Sequence, residues 1–192
     1  MRVGSRPHLL RDSVTAFAML ALIALIAAKL NGGAERSISA AFFVIDGDTL
    51  GLKTERLRLS GIDAPELAQH CRDANGADWA CGQAARQALA ALLAGAGATC
   101  RGRAEDRYGR LLVVCATGPA GPSINSALVR QGLAVAYGGY ETEESAARAE
   151  RRGLWAGAFE RPQDWRRTQG LVTDEPVANS WLGLLRRLGG GA

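Results

Sequence analysis

Apolar residues run almost unbroken from Ser13 to Leu30 (S-V-T-A-F-A-M-L-A-L-I-A-L-I-A-A-K-L) and nowhere else at such length. At about 1.5 Å per residue that run just reaches across a hydrocarbon core of about 30 Å if Lys29 snorkels. Arg2, Arg6 and Arg11 precede it, so residues 1–12 read as a cytoplasmic basic flank and 13–30 as a transmembrane anchor or signal segment. The best cleavage site on offer, Ile26-Ala27-Ala28, is poor, which favours an uncleaved anchor. Residues 31–38 then read as a linker. Beyond them the spacing shortens. Ala40–Ile45 is a compact apolar run suited to a strand, Leu50 and Leu52 alternate with Gly51 and Lys53, and Leu57 and Leu59 alternate with Arg56 and Arg58. Thr54-Glu55 marks the hairpin between the last two.

The period then lengthens to that of a helix over Gln83–Ala94, with Ala85, Leu89, Leu92 and Leu93 on one face and Gly95 as the stop. Two more strand-like runs flank the turn D-R-Y-G-R. A second helix opens at Pro122-Ser123-Ile124 with Ser123 as cap and ends at Gly132, and a third spans Thr142–Arg152. Trp155, Phe159 and Trp165 read as core anchors. The chain is therefore expected to be α+β, mainly β: a five-stranded OB-fold barrel with three α-helices over 39–167, after one N-terminal hydrophobic helix. Residues 168–192 form a tail with little periodicity except W-L-G-L-L-R-R-L.

A formal charge of +4 suits a polyanionic partner, but part of it lies in the N-terminal arginines. The four cysteines all follow the apolar run, as in a protein of an oxidising compartment. Cys100 and Cys115 sit at comparable distances from the D-R-Y-G-R turn, so a cross-strand bond between them is reasonable, leaving Cys71 with Cys81. A zinc site is the weaker alternative, because there is no C-x-x-C pair and His70 is the only nearby histidine.

Three polar clusters carry chemistry. Asp46-Gly47-Asp48-Thr49 follows an apolar strand, Arg58-Leu59-Ser60-Gly61-Ile62-Asp63-Ala64-Pro65-Glu66 follows one hairpin later, and Asp106-Arg107-Tyr108-Gly109-Arg110 forms a basic turn. Taken singly, each is an ordinary turn or a solvated arginine. Together they supply hard oxygens for a divalent cation, a separate carboxylate for a water, and guanidinium groups for charge developing on phosphorus. Two-histidine hydrolysis is excluded, since His70 alone lies beyond the apolar segment.

The ordered set D-G-D-T, R-L-S-G-I-D-A-P-E, D-R-Y-G-R and L-V-R-Q-G-L-A-V-A-Y resembles the staphylococcal nuclease (thermonuclease) family from about Ser39 to Trp165. The resemblance implies calcium-dependent hydrolysis of DNA and RNA, with single strands favoured and 3′-phosphate products. By motif, it implies that Arg58, Glu66 and Arg110 are catalytic. Asp48, Asp63 and the Ala64 carbonyl would hold calcium, with Asp46 in the outer shell. Arg107, Tyr108, Tyr137 and Thr49 would bind substrate. Ala64 stands where threonine is familiar, Gly139 where an aromatic is common, and the cysteine-bearing loop from Gln69 to Gly82 is long. A monomer is expected, with no protein partner implied, either anchored and facing the periplasm or cell exterior, or secreted if the leader is cut. The rivals are a catalytically silent OB module of the cell envelope and a purely structural envelope domain.

Overall fold

The computed structural model describes residues 7–30, 34–94, 97–118 and 121–171. Helix α1 (Pro7–Leu30) contains the long apolar run. Among the described residues no helix is long and apolar enough to cross a membrane. The spanning anchor expected over 13–30 is thus not found among the described residues.

The rest is α+β, as expected, but its strands are more numerous than five. Strands β1 (Arg36–Ser39), β2 (Phe43–Val44), β3 (Thr49–Leu52), β4 (Glu55–Leu59), β8 (Ala98–Glu105) and β9 (Leu111–Thr117) form one sheet in the order β1-β8-β9-β4-β3-β2. All its pairs are antiparallel except β4 with β9. Strand β5 (Ile62–Asp63) pairs with β10 (Val135–Ala136), and β6 (Cys71–Arg72) with β7 (Asp78–Trp79). The stretch taken for a linker contributes β1, whose short R-S-I-S pattern carries too few apolar residues to be read locally; it is defined by pairing with β8. Conversely, only Phe43-Val44 of the 40–45 run is strand.

Helices α2 (Cys81–Leu93), α3 (Ile124–Arg130) and α4 (Glu141–Ala149) are the three expected, and α5 (Pro162–Thr168) is an addition. Ser123 caps α3 by accepting from the Ser126 N–H at 3.2 Å. Helix α4 ends earlier than its charge pattern implied, because Arg151 adopts a positive φ of 51°. The core lies where the alternation placed it. Leu50, Leu57 and Leu59 face inward with Val113, and Leu89 of α2 and Ile124 and Leu128 of α3 close over them. A second small core gathers Cys71, Cys81, Val135 and Leu154 under Trp79, Trp155 and Phe159, confirming the packing role of the last two; Trp165 is half-buried on α5. The tail motif W-L-G-L-L-R-R-L lies outside the described residues.

Both cysteine pairings form, Cys71–Cys81 and Cys100–Cys115. The Cys100–Cys115 pair joins directly opposed residues of β8 and β9.

Asn125 ties three elements together. Its side chain is fully buried; Oδ1 accepts from the Cys115 N–H at 3.0 Å, and Nδ2 donates to the carbonyls of Ser60 at 2.9 Å and Val113 at 3.1 Å. It thus fixes α3 against β9 and the turn that leads to Asp63. Asn125→Ala strands buried backbone groups, each costing about 1–3 kcal/mol. The expected loss in urea unfolding is at least about 2 kcal/mol; a loss below about 0.5 kcal/mol would show that the bridge is dispensable.

Candidate functional site

The site begins in the turn before β3. Asp46 accepts the Asp48 N–H at 3.0 Å, closing a local turn, and Gly47 between them has no room for a side chain. A Cβ there would fall 2.7 Å from that of Ala64 and 2.8 Å from that of Ala85. Glycine in D-G-D is thus needed for close approach of the turn to α2 and to the β5 exit. Asp48 is buried at 4% exposure; its Oδ2 accepts the Ala64 N–H at 3.0 Å and its Oδ1 the Thr49 hydroxyl at 3.1 Å. Thr49, expected among the substrate contacts, is itself buried, and its hydroxyl supports Asp48.

Arg58 lies opposite Thr49 on the outward face of β4, as its alternation with Leu57 and Leu59 requires. Its Nη1 donates to Asp48 Oδ1 at 2.7 Å and its Nη2 to Asp63 Oδ1 at 2.8 Å. Asp63, 2% exposed, is held in place by the pairing of β5 with β10, where it faces Val135. One guanidinium thus bridges two buried carboxylates that are distant in the local chain. Burial pushes the Asp48 carboxyl up to about 7, against the pull of Arg58, with Asp46 and Asp63 adding to the rise. Burial disfavours the charge on Arg58 too, but Asp48 and Asp63 more than offset this and raise its pKa.

Glu66 sits one turn beyond Asp63, partly exposed at 31%. Its backbone is held on both sides by Gln69, which is fully buried. The Gln69 Oε1 accepts the Glu66 N–H at 3.2 Å, the Gln69 N–H donates to the Glu66 carbonyl at 2.7 Å, and Nε2 reaches the Glu160 carbonyl at 2.7 Å. Gly82 permits this packing, since a Cβ there would lie 1.7 Å from the Glu66 carbonyl oxygen.

A residue absent from the motif reading completes the cluster. Arg166 on α5 donates from Nη1 to Glu66 Oε1 at 2.8 Å and to Asp63 Oδ1 at 3.1 Å, and from Nη2 to Asp63 Oδ2 at 3.0 Å. Burial lowers its pKa, but the hydrogen bonds and charges of Asp63 and Glu66 prevail and raise it. Neither Arg166 nor Gln69 carried a signal in sequence, although Gln69 at three residues from Glu66 is the spacing of a turn-closing side chain.

The D-R-Y-G-R turn is built around Asp106. Its Oδ1 accepts the N–H groups of Tyr108 at 2.8 Å and Arg110 at 3.0 Å, and its Oδ2 accepts Arg110 Nε at 2.7 Å. Burial raises the Asp106 pKa, but these bonds outweigh it and the pKa falls. Arg110 precedes by two residues Leu112, the parallel partner of Arg58. It therefore emerges on the same outward face, about 7 Å along the sheet. Its observed partner is Asp106, and it is not drawn into the Asp48–Asp63–Glu66 cluster. Tyr108 is exposed, with the guanidinium carbons of Arg107 and Arg110 at 4.8 and 5.4 Å from its ring centre. Arg110, Tyr108, Arg36 and Arg56 line a polar cleft of about 440 Å³. Tyr137 is also exposed and is fixed by its N–H to the Gly61 carbonyl at 2.9 Å.

The donor set of Asp48, Asp63 and the Ala64 carbonyl is chemically right for a hard cation. Among the described residues, however, no three acidic, histidine or cysteine side chains converge to hold a metal. The carboxylates are compensated by Arg58 and Arg166 instead, so the expected calcium pocket is present as donor chemistry and not as a formed cage.

Comparison with known proteins agrees with this layout. The family model "Staphylococcal nuclease homologue" matches residues 56–157, from β4 through the stretch before α5. Succinoglycan biosynthesis protein ExoI of Rhizobium meliloti (strain 1021) is 34% identical over 78% of this chain and 81% of that protein. Micrococcal nuclease of Shigella flexneri is 34% identical over 68% of this chain and 81% of that protein. An uncharacterized endonuclease of Escherichia coli O157:H7 is 35% identical over 60% of this chain and 74% of its own length. The matched span carries Arg58, Asp63, Glu66 and Arg110 on the elements that assemble the cluster and its flanking turn, and the chain belongs to the staphylococcal nuclease homologue family.

Proposed function

We propose that this protein is a calcium-dependent nuclease that hydrolyses phosphodiester bonds of DNA and RNA, favouring single strands and leaving 3′-phosphate ends. The observation that carries the proposal is the bridge from Arg58 to both Asp48 and Asp63, with Glu66 beside it at a half-open rim. Nothing in the packing of the sheet requires two buried carboxylates and two guanidinium groups in one place. Hard carboxylate oxygens beside a separate, half-open carboxylate suit metal-assisted hydrolysis of a phosphodiester.

Asp48, Asp63 and the Ala64 carbonyl would hold calcium. The raised pKa of Asp48, caused by burial beside Asp46 and Asp63, marks a carboxylate whose ionised form gains from one more positive charge. When bound, the ion supplies Lewis-acid polarisation of the phosphate. Glu66, the most exposed of the three carboxylates, takes the proton from the attacking water or orients it in line with the 5′-oxygen. Arg58 donates to the phosphoryl oxygens as charge builds, and Arg110 joins from the same face of the sheet, leaving Asp106 to do so. Tyr108 and Tyr137 offer exposed rings, and Arg107 and Arg110 offer charge, to flanking nucleotides. The two disulfides support a location in an oxidising compartment.

Single-stranded DNA should be cut by the protein with millimolar calcium and spared with a chelator. Glu66→Gln should keep the fold, by circular dichroism, and lose about a hundredfold or more in rate; Arg58→Gln should lose a similar factor. A Glu66→Gln protein as fast as its parent would remove Glu66 from the mechanism.

Calcium affinity should also depend on pH in a defined direction. Asp48 is protonated below its pKa of about 7, and only the ionised form is a ligand. Binding should therefore weaken by up to about tenfold per unit as pH falls below 7 and level off above it. Calorimetric titration from pH 5.5 to 8.5 reads this directly, and a flat profile would show that Asp48 is not a titrating ligand.

A further inference from the structure

Helix α5 brings Arg166 into contact with two of the three carboxylates that the nuclease reading assigns to calcium and water. The contact is specific. Both oxygens of Asp63 are engaged by the two terminal nitrogens of Arg166, at 3.1 and 3.0 Å, and one nitrogen also reaches Glu66 at 2.8 Å. Asp63 Oδ1 carries Arg58 as well, at 2.8 Å. A calcium ligand oxygen lies about 2.3–2.6 Å from the ion. A guanidinium lying fork-wise across a carboxylate occupies the same edge that the ion would use. Two positive charges sharing that edge would also repel each other strongly in a half-buried setting.

The helix is attached by contacts of its own. Pro162 is buried, Arg161 pairs with Glu144, and the Glu160 carbonyl just before it accepts Gln69 Nε2 at 2.7 Å. Arg166 is therefore presented from an anchored element, at 22% exposure, and is not a loose surface arginine that happens to fall on an acid. The carboxylates it meets are 103 and 100 residues away in sequence.

We infer that Arg166 is a built-in counter-cation: it neutralises Asp63 and Glu66 in the metal-free protein, competes with calcium for Asp63, and must withdraw from that carboxylate when the ion binds. The inference rests on the proposed calcium-dependent nuclease reading and adds to it a residue that sets the calcium requirement. Withdrawal leaves a freed guanidinium at the site and weakens the hold of α5 on the rest of the fold.

Two measurements on the full chain test this. Calcium titration, by calorimetry or by displacement of luminescent terbium, should show Arg166→Gln binding the ion on the order of tenfold more tightly than the parent, with Arg166→Lys between them. Equal or weaker binding by Arg166→Gln would overturn the competition. Hydrogen exchange of the parent, which needs no variant to fold, should show faster exchange over Pro162–Thr168 when calcium is added. Slower or unchanged exchange there would overturn the withdrawal. If the parent digests single-stranded DNA but binds no calcium, the inference falls while a nuclease remains. If it neither binds calcium nor digests, both fall together.

Discussion

Two aspartates buried almost completely within reach of one arginine are the constraint around which this molecule is arranged. Sequestering a carboxylate costs several kcal/mol unless it is paired and hydrogen-bonded. Asp48 and Asp63 meet that cost through Arg58, through the Ala64 and Thr49 donors, and through Arg166. The surrounding fold can be understood as the means of holding those groups. The antiparallel pairing of β3 with β4 sets Arg58 over Thr49, and the pairing of β5 with β10 fixes Asp63. The missing side chain at Gly47 lets the acidic turn approach the β5 exit.

Charge compensation at the cluster is internal to the fold. Glu144 repeats the pattern on a smaller scale: it is buried, accepts the Ala136 N–H, and is paired with Arg148 and Arg161. Through Ala136 it steadies β10, and through Arg161 it steadies the entry to α5. Both elements touch Asp63, one by strand pairing and one by Arg166. Glu144, Arg161 and Arg166 thus serve the site, although none of them belongs to the motifs that suggested it.

How much of this could be read from residues alone depends on the range of the interaction. Alternation placed Leu57 and Leu59 inside and Arg58 outside, because a strand has a strict period of two. The Ser123 cap and the Cys100–Cys115 bond were legible for similar local reasons: a side chain three residues from the N–H it accepts, and two positions equidistant from a turn. The D-G-D turn, Asp63 and Glu66 were visible as motifs, and the structure gathers them. The burial of Thr49 was not legible, since a hydroxyl next to an aspartate gives no sign of which way it is buried. Strand β1 was read as linker because R-S-I-S has one apolar residue and owes its conformation to β8. Arg166 and Asn125 were invisible for a stronger reason. Their partners lie far along the chain, and only the closed fold brings an arginine of the last helix onto Asp63 or an asparagine of α3 onto Ser60.

The covalent cross-links have a thermodynamic consequence for where such a protein is competent. They close spans of 10 and 15 residues, and a loop of the longer kind contributes about 3 kcal/mol in the chain-entropy account. One bond sits in the main core and the other in the smaller core under Trp79 and Phe159, next to the turn that carries Glu66. Thiol oxidation and assembly of the carboxylate cluster are therefore linked equilibria. A chain kept reduced among a cell's own nucleic acids is biased away from the arrangement that would cut them.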